Sequence, residues 1–109
     1  MILLVDDDKD MLKSYTELLQ HANYQVEACH NPQQALQQFQ LNPDAYDAVL
    51  TDYNMPHMNG LELISAIHHK RPDLKAILYS GMLPKDIPDS IITFTKPTRI
   101  NQLLKQLAA

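Results

Sequence analysis

Asp6, Asp7 and Asp8 stand in succession directly after the apolar run ILLV. Carboxylates this close repel one another, and more strongly where water is scarce. Such a cluster needs a counter-charge. Other chemistry-bearing residues occupy the same kind of place, each at the end of an apolar run. Asp52 follows AVLT, Ser80 with Gly81 follows AILY, and Lys96 with Pro97 follows IITFT. If Asp6, Asp7 and Asp52 are ionised, Lys96 returns only part of their charge, and a divalent cation would cancel the rest. Mg²⁺ meets that demand best: it takes oxygen ligands, keeps several waters and binds through one or two carboxylates plus a substrate phosphate. A soft metal does not, because no Cys or His stands at these four run ends. Asp8 is read differently, as the N-cap of the helix that follows.

The elements that must position these residues are legible in the same way. Five short apolar runs recur, at 2–5, 25–29, 48–51, 76–79 and 91–95. Most are continuous rather than alternating, as in parallel strands covered on both faces. Between them lie helical stripes: Met11, Leu12, Tyr15, Leu18, Leu19 and Ala22, then Ala35, Leu36 and Phe39, then Leu61, Ile64 and Ile67. Ile100, Leu103, Leu104 and Leu107 form the last. Asn31-Pro32 and Asn59-Gly60 mark helix starts, and Asn42-Pro43-Asp44 and Arg71-Pro72-Asp73 mark turns leading into strands. Strands alternating with helices predict right-handed crossovers and an α/β, doubly wound parallel sheet. In such sheets the ligand site lies beyond the carboxyl ends of the strands, where these polar residues collect.

LLVDDD, AVLTDYNMPHMNG, LYSG and TKP, in that order, resemble the receiver domain of two-component response regulators. The resemblance covers residues 1–109 as a single domain and implies the flavodoxin-like strand order 2-1-3-4-5 with helices on both faces. It also implies roles. Asp52 matches the phosphoacceptor. Asp6 and Asp7 match the acidic pair that holds Mg²⁺, with Asp52 and the backbone carbonyl of Asn54 as further ligands. Ser80 matches the hydroxyl that turns toward the phosphoryl group, and Lys96 the lysine that ion-pairs with it, in a Lys96-Pro97 bond that is usually cis. Gly81 matches a small residue that leaves room for phosphoryl oxygens. The implied partners are a histidine kinase or phosphotransfer protein and an effector domain or output protein. The implied catalysis is limited to transfer onto Asp52 and hydrolysis there. Independently, phosphoryl transfer requires alignment and charge neutralisation more than covalent chemistry from the protein, and these residues supply both.

Two departures stand out. Residues 81–95 must hold a loop, a helix, a second loop and a strand, and they include Pro84 and Pro88. An average helix of about 11–12 residues does not fit there, so the fourth crossover helix is expected to be shortened or absent. The family's aromatic switch position falls on Thr93, and the aromatic stands one place later, at Phe94, where alternation turns it to the opposite face and a core role.

The shortened fourth crossover motivates an alternative, a pseudo-receiver that serves as a constitutive protein-interaction module. An Mg²⁺-dependent phosphatase with an aspartyl nucleophile is a third reading. It would need an acid/base two residues after Asp52, where Asn54 stands. Simpler roles also suit several residues: a turn-forming hydroxyl for Ser80, packing for Tyr53 and Met82, an inert buried thiol for Cys29, and solvated surface for His68 and His69.

The bulk numbers agree with a small globular domain. The chain has 109 residues, 45% hydrophobic and 20% charged, with a net charge of −4 that argues against a nucleic-acid surface. No apolar run approaches the ~18 residues of a membrane span, and no secretory signal opens the chain. A single cysteine precludes an internal disulfide and fits a cytoplasmic location. No effector domain is evident. The sequence fits either a stand-alone receiver that acts through protein contacts or one module of a larger chain.

Overall fold

The computed structural model describes residues 1–95 and 100–108. Five strands, β1 (Ile2–Val5), β2 (Val26–Cys29), β3 (Ala48–Asp52), β4 (Lys75–Ser80) and β5 (Ile92–Thr95), pair in the order β2-β1-β3-β4-β5. Every pairing is parallel. The helices are α1 (Lys9–His21), α2 (Pro32–Leu41), α3 (Gly60–Lys70) and α4 (Ile100–Ala108), and a 3₁₀ turn at Pro43–Ala45 leads into β3.

Strand alternation divides the core into two layers. Leu3, Val5, Val49, Ala76 and Leu78 face α2 and α3, where they meet Ala35, Phe39, Leu63, Ile64 and Ile67. Ile2, Leu4, Ala48, Leu50, Ile77 and Tyr79 face the other side, against Tyr15 and Leu19 of α1 and the partly buried Leu104 and Leu107 of α4. The sheet is therefore doubly wound, with helices on both faces. The strands β1 and β3 are buried along their whole length, which is why they read as continuous apolar runs. The expectations for Ile100 and Leu103 concern side chains outside the described residues.

Local chemistry starts each helix. Asp8 caps α1, its carboxylate accepting from the N–H groups of Asp10 (3.0 Å) and Met11 (3.3 Å). Asn31 caps α2 ahead of Pro32 by accepting from the Gln34 N–H at 2.7 Å. Asn59 and Glu62 form a reciprocal capping box at α3. Gly60 is required by close approach: a Cβ there would lie 2.4 Å from the Asp52 carbonyl oxygen and 2.6 Å from Leu78 Cδ1.

The fourth crossover has no helix. Residues 81–91 run as turns and bends, with Asp86 in the left-handed region (φ 62°). In place of a helix, the partly buried Leu83, Ile87 and Ile91 pack on the α2/α3 side of the core. Thr93 is exposed and Phe94 packs on the α1/α4 side, as alternation requires. One surface reading needs correction. His68 is not simply solvated: its Nε2 lies 2.8 Å from the Leu74 carbonyl oxygen, tying α3 to the lead into β4. His69 is exposed.

Candidate functional site

At the carboxyl edge of the sheet, β1 delivers Asp6 and Asp7, and the neighbouring β3 delivers Asp52. Each of the three carboxylates offers an oxygen, and these oxygens all lie within 4.8 Å of one another. Asp6 is fully buried, Asp52 is 5% exposed and Asp7 is open to solvent. One acid thus anchors the cluster inside while another faces water. Taking charged carboxylates out of water without compensation is costly. The donors nearby are specific: Asp6 Oδ1 accepts from the Asp8 N–H at 3.0 Å, and Asp6 Oδ2 accepts from the Tyr79 hydroxyl at 2.8 Å. Such an all-oxygen donor set suits a hard divalent cation, and Asp6, Asp7 and Asp52 are the residues that would hold it.

The rest of the edge is built around this cluster. Asp52 pairs in register with Tyr79, which places Ser80 one residue past Asp52 on the adjacent strand. Ser80 is 1% exposed, and its hydroxyl donates to the Met82 carbonyl at 2.9 Å and accepts from the Met82 N–H at 3.3 Å. In this structure the hydroxyl therefore closes its own loop. Met82 itself is 82% exposed. A Cβ on Gly81 would meet nothing within 4 Å, so there is open space beside the loop. Asn54 is exposed on the loop that leaves β3, and Tyr53 is half-buried and packs against the α2/α3 layer. Lys96 and the Lys96-Pro97 bond lie outside the described residues. Beside Asp7, an open depression of about 520 Å³ is lined by His30, Asn31, Gln33, Pro56 and His57, with His57 in the left-handed region (φ 73°).

Tyr79 and Arg71 make contacts that the sequence does not announce. Tyr79 reads as one more apolar strand residue, because nothing in AILYS signals that its hydroxyl reaches across β3 to the end of β1. Arg71 reads as a turn residue, yet it donates to the carbonyls of Pro43 (3.0 Å) and Tyr46 (2.7 Å), joining the lead into β3 to the end of α3. Cys29 matches its inert reading. Burial, and secondarily the charge of Glu27, push its thiol up to about 11, so little of the reactive thiolate forms near neutrality.

The fold is that of a doubly wound parallel α/β domain, whose ligand sites lie beyond the carboxyl ends of the strands, where these acids stand. The sequence comparison narrows this to one family. Residues 2–108 match the response regulator receiver domain, and the chain belongs to that family. The two-component response regulator ARR12 of Arabidopsis thaliana is 32% identical over 108 residues, covering 94% of this chain and 18% of that protein. The response regulator receiver protein CpdR of Brucella abortus is 30% identical over 112 residues, covering 97% of this chain and 92% of that protein. The chain thus spans a small part of the plant regulator and nearly all of the bacterial protein. Among solved structures, the CheX–CheY–BeF₃–Mg²⁺ complex of Borrelia burgdorferi shares the fold, with a TM-score of 0.87 at 18% identity over 97% of this chain and 84% of that one. Among the described residues no helix is long and apolar enough to cross a membrane.

Proposed function

We propose that this receiver domain accepts a phosphoryl group on Asp52, in an Mg²⁺-dependent reaction, from a histidine kinase or phosphotransfer protein. The observation that carries the reading is the convergence of Asp6, Asp7 and Asp52 oxygens within 4.8 Å at the carboxyl edge of the sheet. An Asp52 oxygen attacks the phosphorus of a phosphohistidine. The P–N bond breaks, the imidazole nitrogen keeps the electron pair, and an acyl phosphate remains on Asp52. Water later cleaves the acyl phosphate, which releases inorganic phosphate and restores the carboxylate. Asp6, Asp7, Asp52 and the Asn54 carbonyl would hold the Mg²⁺, which supplies charge stabilisation to the phosphoryl oxygens. The BeF₃ and Mg²⁺ of the Borrelia CheY complex support the same pairing of ligands here. Lys96 neutralises a further oxygen. Ser80 exchanges its Met82 partners for the phosphoryl group, and movement of its loop is the switch.

In this reading the domain catalyses only its own phosphorylation and dephosphorylation, and it is not a freestanding enzyme. It acts in the cytoplasm through an effector domain or an output protein, without direct nucleic-acid or membrane binding. The experiment is intact mass after incubation with phosphoramidate, with and without Mg²⁺. One phosphoryl group is gained by the wild type only with Mg²⁺, and none by Asp52→Asn. A wild type that gains none from either phosphoramidate or a phosphohistidine donor contradicts the proposal.

A second reading, the pseudo-receiver, draws on the missing fourth crossover helix and on the Ser80 hydroxyl held by its own loop. Failure to bind Mg²⁺ at millimolar concentration would favour it. The phosphatase reading finds no support, since Asn54 cannot give and retrieve a proton.

A further inference from the structure

Tyr79 lies on the inner face of β4, fully buried, with its ring edge-on to Tyr15 of α1 (centroids 5.3 Å apart, planes at 88°). Its hydroxyl is directed to Asp6 Oδ2 at 2.8 Å, and the Val5 carbonyl, at 3.5 Å, is a marginal second acceptor. Asp6 Oδ1 is taken by the Asp8 N–H at 3.0 Å. The carboxylate is thus gripped on both oxygens, from β4 and from the start of α1. Both Asp6 and Tyr79 are 0% exposed, so water does not substitute readily for either partner. Asp52 stands in register with Tyr79, and the tyrosine therefore spans the two strands whose acids form the cluster.

From this arrangement we infer that Tyr79 is a positioning residue for the cation site: its hydroxyl holds Asp6 in the orientation from which Asp6, Asp7 and Asp52 bind Mg²⁺ together. The inference rests on the Mg²⁺ reading of the acid cluster. Two effects compete. A hydrogen bond to Oδ2 draws some negative charge away from the cluster and so weakens cation binding slightly. It also prevents the carboxylate from rotating, and loss of such outer partners commonly costs 10–100-fold in metal affinity, on the order of magnitude observed for hydrogen-bonded ligands. The second effect dominates. Removal of the hydroxyl takes from Oδ2 the buried donor that fixes its direction.

Tyr79→Phe keeps the ring against Tyr15 and removes only the donor. Ile77→Val thins the same strand and the same core layer without touching Asp6, and controls for general loosening. Calorimetric titration with MgCl₂ is expected to show about a tenfold weaker Kd for Tyr79→Phe, with Ile77→Val within about twofold of wild type. Equal affinity of Tyr79→Phe and wild type, tighter binding by Tyr79→Phe, or equal weakening in both variants would overturn the assignment. A second readout needs no variant. In wild type carrying [¹³Cζ]tyrosine, the Tyr79 signal, assigned through its contact with the Tyr15 ring, is expected to shift with the same midpoint as the calorimetric titration. A Tyr79 signal that ignores Mg²⁺ would overturn the assignment. A wild type that binds no Mg²⁺ at all removes the metal reading itself and this assignment with it, whereas a binding wild type matched by Tyr79→Phe removes the assignment alone.

Discussion

The crossover from β3 to β4 and the crossover from β4 to β5 flank the same strand and are built in opposite ways. The first is a complete helix, α3, opened by the Asn59–Glu62 capping box and seated by Gly60 against the Asp52 carbonyl. It buries Leu63, Ile64 and Ile67 completely. The second is a run of turns over 81–91, held by the half-buried Leu83, Ile87 and Ile91, and it leads to an edge strand whose Thr93 and Thr95 are exposed. All three acids belong to the densely packed side, and the proposed phosphoryl transfer would require such fixed geometry. Ser80 stands at the boundary, its hydroxyl spent on the thin loop. Segments with few buried apolar contacts open at lower free energy than core elements. Under the proposed switch, the acids that must stay still and the segment that would move are divided along β4.

The sharpest way to break this comparison is to truncate one side chain on each side. Leu63→Ala, fully buried in α3, is expected to lose about 2–5 kcal/mol in urea unfolding, and Ile87→Ala, half-buried in the thin loop, about 1 kcal/mol. Equal losses would mean the two crossovers are equally packed. Gly60→Ala comes next. Its Cβ meets β3 backbone at 2.4 Å, so α3 must shift away from Asp52 at a cost of about 1–3 kcal/mol, and Mg²⁺ affinity should fall with stability. Unchanged affinity would show that the acid cluster does not depend on how α3 is seated. Asn59→Ala removes one half of the capping box and is expected to cost about 1 kcal/mol, with the loss confined to α3 in amide exchange.

The last effect appears only at alkaline pH. The Cys29 thiol is raised from 9.0 to about 11, first by burial and then by Glu27. The folded state therefore holds a proton that the unfolded chain releases, and stability is full below about pH 9 and falls as pH rises through 11. For one group the slope is at most about 1.4 kcal/mol per pH unit. Cys29→Ala should flatten that part of the pH–stability curve, and an unchanged curve would assign the alkaline loss to other groups.

Much of this was legible in the chain because one physical cause set each feature. Continuous apolar runs at 2–5 and 48–51 mark strands covered on both faces, and both strands are fully buried. Asp8, Asn31 and Asn59 act locally, within three residues of themselves, so their caps could be read directly. The missing helix followed from chain length and from Pro84 and Pro88. Tyr79, Arg71 and His68 were not legible, because their partners lie 73, 25 to 28, and 6 residues away and depend on how elements settle against one another. The resemblance implies a Ser80 hydroxyl that turns toward a phosphoryl group, and in this structure that hydroxyl pairs with Met82. A residue type announces what a group can bind, and the loop decides what it binds at rest.

The most direct test of the central claim is to locate the phosphoryl group on the chain. The protein is treated with phosphoramidate and Mg²⁺, reduced at once with borohydride, which converts an aspartyl phosphate to homoserine, and then digested and sequenced by mass spectrometry. Homoserine at position 52, and none when Mg²⁺ is withheld, is the predicted result. Homoserine at Asp6 or Asp7, or phosphorylation of Asp52 that is indifferent to Mg²⁺, would contradict the account of the acid cluster as a cation site built around one acceptor.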